Sequence, residues 1–347
     1  MNCLERFRAA LHLEETDRPP VVVPTNTGVE DLMKASNSYW PEAQVDAEKM
    51  ARLAIAAYEV AGIESVILPF DKFVEVEAMG AELEGWGRTQ QPHAIPLIDN
   101  PEHLQLLKNP DPRKDGRMPI VIEAVKMVGE KLGGEVPIIA AVASPFEISS
   151  TLWNPNTLVL YFEYDKAPLK KLLEMSTSLV ADYGNLLLKA GADAISIIDG
   201  NSQNLFGVPM VMDYGFDGVE PGAEGYEEFS GDYVKKLVEE LKGDSILHIC
   251  GDTVPILDHM VETGAAGLSI DRVRVRTAKE LAGDEASILG NVSVETLWKE
   301  SPEAVAQEAR AALKEGVDLL APGCNFIPTT PMKNIKAFVE AAKNWPG

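Results

Sequence analysis

Short apolar runs alternate along this chain with longer stretches in which apolar residues recur every three to four positions. The runs are Pro20-Val-Val-Val-Pro24, Ser65-Val-Ile-Leu-Pro-Phe70, Pro137-Ile-Ile-Ala-Ala-Val-Ala143, Ala194-Ile-Ser-Ile-Ile198, Ser245-Ile-Leu-His-Ile-Cys250, Gly267-Leu-Ser-Ile270, Ser287-Ile-Leu-Gly-Asn291 and Val317-Asp-Leu-Leu-Ala321. Each has the length and branched composition of a strand buried on both faces. Helices are expected between most of them. Asp46 to Ala61 runs from an acidic cap to a stop at Gly62, and Lys170 to Ala190 stops at Gly191. Val254 to Thr263 stops at Gly264, and Pro302 to Glu315 follows Ser301 and stops at Gly316. Eight strand-helix units predict a parallel (β/α)8 barrel. One domain, 1–347, accounts for the whole length, with an N-terminal extension before the first strand.

Such a barrel carries its chemistry at the C-terminal ends of the strands. Those ends hold Thr25, Asn26, Asp71, Ser144, Asp199, His248, Cys250, Asp271, Asn291 and Cys324. Taken singly, an Asp, Asn or Ser at a strand end is an ordinary turn former or helix cap. Their concentration on one rim is what marks it, and Asn26, Asp199, Asn291 and Ser293 are the candidate substrate contacts.

His248, Cys250 and Cys324 add a specific chemistry. Residues two apart on a strand point to one face, so His248 and Cys250 aim together. Cys324, in Leu319-Leu-Ala-Pro-Gly-Cys324, follows another apolar run and reaches the same rim. One imidazole and two thiolates are three ligands, the number of a catalytic zinc with an open position; a structural site closes with four. The competing reading is two buried thiols acting as small hydrophobes. Asp271 could fill the fourth position, accept the imidazole N–H from behind, or only cap its loop.

Composition narrows the field. The chain has 347 residues, 46% hydrophobic and 24% charged, with three cysteines and a formal net charge of −23. The odd, scattered cysteines suggest a reducing cytoplasm rather than a disulfide framework, and Cys3 is incidental to the site. The acidity argues against nucleic acid as a partner. No apolar run is long enough for membrane insertion.

Two stretches exceed a minimal barrel. Residues 75–95 have β-like alternation and turn glycines, and predict a hairpin or flap. Residues 200–231, rich in glycine, aromatics and acid, predict a lid or a surface excursion. The segments Asn291-Val-Ser293 and Thr329-Thr-Pro-Met332 follow the last two strands, where barrels often bind phosphate. The second opens a helix whose free N–H groups suit an anion, unless Thr330 is simply its cap.

Taken together, His248-Ile-Cys-Gly-Asp-Thr253, Leu320-Ala-Pro-Gly-Cys324, Asp17-Arg-Pro19, Pro24-Thr-Asn-Thr-Gly28, Ser38-Tyr-Trp-Pro-Glu-Ala43 and Ala61-Gly-Ile-Glu64 resemble corrinoid-dependent methyltransferases of the uroporphyrinogen decarboxylase superfamily, and most the methylcobamide:coenzyme M methyltransferases. The resemblance implies a uroporphyrinogen decarboxylase-like barrel with Zn²⁺ on His248, Cys250 and Cys324. It also implies a methylated corrinoid protein as donor and a small thiol, coenzyme M, as acceptor. Tetrahydrofolate as acceptor, uroporphyrinogen decarboxylation and a non-catalytic corrinoid-protein-binding module are the alternatives. The decarboxylases' arginine-rich amino-terminal motif is not seen near Asp17 to Gly28.

Overall fold

The computed structural model describes residues 1–205 and 223–346. Seven of the eight apolar runs form strands of one parallel sheet. They are β1 (Val66–Leu68), β4 (Ile138–Ala143), β5 (Ala194–Ile198), β6 (Asp244–His248), β7 (Gly267–Ser269), β8 (Ser287–Val292) and β9 (Leu319–Pro322), paired in that order. Between β1 and β4 lies a separate antiparallel pair, β2 (Leu83–Glu84) with β3 (His93–Ala94). Only the second half of the expected 75–95 hairpin has this form. Val74–Ala78 is a short helix, because Val74 and Val76 both bury against the core while Glu75 is drawn into the barrel mouth.

The eighth run, Pro20 to Pro24, makes a single bridge, Val21 with Leu320. Pro20 and Pro24 at its ends, and Pro19 just before it, have no N–H to give a regular ladder. It nevertheless fills the gap between β9 and β1. On one side Val22 N–H donates to Leu320 C=O at 2.9 Å and Leu320 N–H to Pro20 C=O at 2.9 Å. On the other, Glu64 N–H donates to Val21 C=O at 2.8 Å and Val23 N–H to Ser65 Oγ at 3.1 Å. The sheet thereby closes into a barrel.

A compact apolar cluster fills the interior. Val22, Ile67, Ile139, Ala141, Ala194, Ile246, Leu289, Leu319 and Ala321 come from the staves, and Phe7, Ala10 and Leu11 from the N-terminal helix Cys3–Leu11. That helix plugs the floor, so the N-terminal extension belongs to the barrel core. The remaining core lies between the strands and the outer helices. Two predicted ends hold: Asp46 Oδ1 accepts Lys49 N–H at 2.8 Å, and Gly191 terminates Ala167–Ala190, which starts three residues before the predicted Lys170, with a φ of +118°; Val254–Thr263 begins as a 3-10 turn, Val254–Ile256, before the helix Leu257–Glu262. Of residues 200–231, the structure describes Gly200–Leu205, a 3-10 segment, and Ala223 onward, which is helical through Glu240. The expectation of a lid falls on 206–222, outside the described residues. Among the described residues no helix is long and apolar enough to cross a membrane.

Glu64 ties the plug to the closing stave. Its carboxylate is 3% exposed and accepts Arg6 Nη1 at 3.1 Å, Arg18 Nη1 and Nη2 at 2.7 and 2.6 Å, and Val21 N–H at 3.1 Å. Burial alone would raise its pKa, but the two guanidiniums outweigh that and hold it below 4.5. Glu64→Gln leaves two arginines without their buried counter-charge and should cost about 3–5 kcal/mol in denaturant unfolding. Loss of the exposed Arg52–Glu48 pair should cost under about 0.5 kcal/mol. A carboxylate with a depressed folded pKa stabilises above its unfolded value and ceases to as pH falls through the folded one. The gap between wild type and Glu64→Gln should therefore be full at pH 7 and shrink below about pH 4; a constant gap would contradict the charge-based account.

Candidate metal centre

β6 ends at His248, and the chain continues extended to Cys250 before turning at Gly251, whose φ of +86° favours glycine. Cys324 lies two residues beyond β9. His248 Nε2 is 3.2 Å from Cys250 Sγ, and Cys250 Sγ is 3.1 Å from Cys324 Sγ. These three atoms, all within 4.8 Å of one another, form the one group of potential metal ligands found among the described residues. Tetrahedral zinc with Zn–S near 2.3 Å would set two sulfurs roughly 3.7 Å apart. The trio therefore needs to open by only about half an ångström to hold that ion.

The surroundings orient the ligands. His248 Nδ1 lies 3.0 Å from Ser269 Oγ on neighbouring β7. A proton on Nδ1 donated there leaves the Nε2 lone pair facing the thiols. Asp271 lies outside the converging trio. Its Oδ2 accepts Gly251 N–H at 2.9 Å, and its Oδ1 sits where a Cβ on Gly323 would come within 2.6 Å. The carboxylate thus braces the turn after Cys250 and packs against the Cys324 loop, where residue 323 has to be glycine for it to fit. Burial raises the Asp271 pKa, as does the neighbouring Cys324.

Without a metal the two thiols share their protons unequally. One hydrogen bond joins the two sulfurs, and either can donate it; that bond and His248 lower the Cys324 thiol against burial, while the same bond and burial raise Cys250. Burial alone would lower the His248 pKa, but the Cys324 sulfur beside it raises it.

The cluster opens into a cavity of about 100 Å³. Phe70, Ala141, Val142, Ala143 and Ile198 give it apolar walls, and Thr25, Asn26, Asp71, Lys72, Glu75, Gln91 and Asn325 are its polar lining. Asp71 is held by Arg117, whose Nη1 and Nη2 lie 2.7 and 3.0 Å from it. Glu75 accepts Ala143 N–H at 3.1 Å, and burial pushes its carboxyl up to about 7. Lys72 pairs with Glu147.

The four candidate substrate contacts are placed unevenly. Asn26 lines the cavity, but its amide is engaged, donating to Phe70 C=O at 2.6 Å and accepting Gly28 N–H at 2.6 Å. Asp199 lies outside the lining and binds the hydroxyls of Ser144 and Ser230; burial pushes it up to about 6. Asn291 donates to Val273 C=O at 2.5 Å, and Ser293 caps the helix Val294–Lys299, accepting Glu295 N–H at 3.2 Å. Neither reaches the cavity. Thr330 caps nothing: the helix Met332–Lys343 begins at an N–H that donates to Asp31 Oδ2 at 3.1 Å. A carboxylate already serves that end, which leaves no seat there for an anion. Sequence reasoning assigned no role to Lys72, Glu75, Gln91 or Arg117. Asp71 at the end of its run was the only signal that this side of the mouth carries charge.

A family model described as uroporphyrinogen decarboxylase (URO-D) matches residues 3–345. The chain is 37% identical to the methylcobamide:CoM methyltransferase MtbA of Methanosarcina acetivorans, covering 98% of this chain and 97% of that protein. It is 35% identical to MtaA of Methanosarcina barkeri, covering 97% and 96%. A solved methyltransferase from Methanosarcina mazei superposes with a TM-score of 0.90 at 33% identity, covering 99% of this chain and 98% of that one.

The unequal proton sharing has a direct readout. In metal-free protein at pH 6, iodoacetamide should label Cys324 ahead of Cys250 and Cys3, because only a thiolate attacks. Burial beside Glu64 raises the Cys3 thiol. Cys250→Ala removes the neighbouring thiol and should shift the Cys324 labelling midpoint upward. Peptide mass spectrometry reads both, and equal labelling of the three cysteines would contradict the assignment.

Proposed function

The chain belongs to the uroporphyrinogen decarboxylase family, and we propose that it is a zinc-dependent methyltransferase moving a methyl group from a methyl-Co(III) corrinoid on a partner protein to a small thiol, coenzyme M. The observation that supports this best is the convergence of His248, Cys250 and Cys324 on one point beside a small cavity at the barrel mouth. A zinc ion there would lower the pKa of an incoming thiol, ordinarily near 8.5, and hold it as the nucleophilic thiolate, with two anionic cysteines keeping the site electron-rich.

The protein's own groups do the positioning. Ser269 sets the His248 ring, and Asp271 braces the turn after Cys250. In the transfer, the thiol sulfur bonds to the methyl carbon as the Co–C bond breaks. The bonding pair stays on cobalt as Co(I), and the thiol proton goes to solvent.

The alternatives fare less well. A cavity of about 100 Å³ suits a small thiol and falls below the ~300–1,000 Å³ of pockets that enclose larger ligands such as a folate. Tetrahydrofolate also finds no support in the names of the relatives. Decarboxylation of a macrocycle bearing many carboxylates calls for several arginines, and none is among the described residues lining the cavity.

Purified protein should carry about one zinc per chain by elemental analysis. It should demethylate a methylated corrinoid with coenzyme M, giving the methyl thioether. His248→Ala and Cys324→Ala should lose both metal and transfer, and Cys3→Ala neither. A protein that holds no zinc even after zinc is added would overturn the reading.

A further inference from the structure

The centre fixes one end of a thiol acceptor, and the cavity around it carries features suited to the other end. Lys72, just beyond β1, is the only lysine or arginine among the described residues lining the cavity. Its side chain is 33% exposed, and its charge acts on Cys250, which lines the same space. An ammonium has three N–H donors, of which Glu147 takes one. Glu147 is itself anchored, its other oxygen accepting Asn201 N–H at 2.7 Å, so the ammonium is tethered at the mouth. Thr25 supplies an independent sign of a ligand: it is 4% exposed, lines the cavity, and its Oγ1 has no hydrogen-bond partner.

Elsewhere the mouth does not favour an anion. Asp71, paired with Arg117, and Glu75, whose carboxyl burial pushes up to about 7, line it, and the chain carries a net charge of −23. An anionic acceptor enters against that field unless a fixed cation meets it.

We infer that Lys72 and the Thr25 hydroxyl form the seat for the acidic end of the acceptor, a small thiol bearing a sulfonate or carboxylate, whose sulfur lies toward His248, Cys250 and Cys324. The inference rests on the methyl-transfer reading and assigns selectivity within it. Lys72 donates two N–H bonds to the acid oxygens, Thr25 donates its O–H to a third position, and the cavity length between Lys72 and the cysteines sets the spacer.

The test compares wild type, Lys72→Met, Lys72→Arg and Thr25→Val with coenzyme M and with uncharged 2-mercaptoethanol, alongside calorimetric titration with ethanesulfonate, which has no thiol and needs no turnover. Lys72→Met should raise KM for coenzyme M about tenfold or more with little change in kcat, as loss of a charged contact implies. It should alter 2-mercaptoethanol kinetics by less than about twofold on the same grounds, and it should abolish ethanesulfonate binding. Lys72→Arg should restore most of the difference. Thr25→Val should weaken ethanesulfonate by several-fold and covers the case of a Lys72→Met protein that does not fold. Equal losses for both thiols, or ethanesulfonate affinity indifferent to both substitutions, would overturn the seat. A wild type that binds ethanesulfonate through Lys72 but methylates neither thiol would instead remove the methyl-transfer reading and leave the seat standing.

Discussion

Closure of the barrel is the constraint on which the site depends. β6 and β9 are separated by β7 and β8, three sheet steps, which in a flat sheet would set their ends roughly 14 Å apart. The sulfurs of Cys250 and Cys324 are 3.1 Å apart. Only a sheet curved back on itself brings them together. The stave that completes the curve is the least regular one, with prolines at both ends and a single bridge, so Glu64 and its two arginines supply what the ladder lacks. A buried ion cluster thus secures the closing seam of the barrel whose mouth gathers His248, Cys250 and Cys324.

The same economy recurs at the centre. Asp271 braces the turn after Cys250 through Gly251 N–H, and Gly323 on the other thiol loop leaves room for it. Ser269 fixes the ring that completes the trio. None of these three has a ligand atom in the trio, yet each limits where the ligands stand. Substitutions there should act on metal affinity and geometry rather than on the fold, whereas substitutions on the Glu64 seam act first on the fold.

The strands and the cluster of His248, Cys250 and Cys324 were readable because both leave local signatures. An apolar run between turn residues reports a buried strand, and a His-x-Cys on such a run reports two ligands on one face. The first run read equally well as a strand, but proline removes the N–H groups that would have made it one. Valine alternating with glutamate from Val74 to Glu77 looked like a strand and is a helix, since tertiary burial decides short segments. Asn291, Ser293 and Thr330 looked like rim contacts; whether such a side chain faces the cavity or its own backbone depends on loop paths that composition does not reveal. Lys72 escaped notice for the converse reason, being one lysine among many until the fold turns it toward the cysteines.

X-ray absorption at the zinc edge tests the central claim most directly, because it counts sulfur neighbours in the intact protein. The account predicts two sulfurs near 2.3 Å in the zinc-loaded protein, from Cys250 and Cys324, and three after coenzyme M is added. An unchanged count on adding the thiol, or a zinc with no sulfur neighbours, would contradict it.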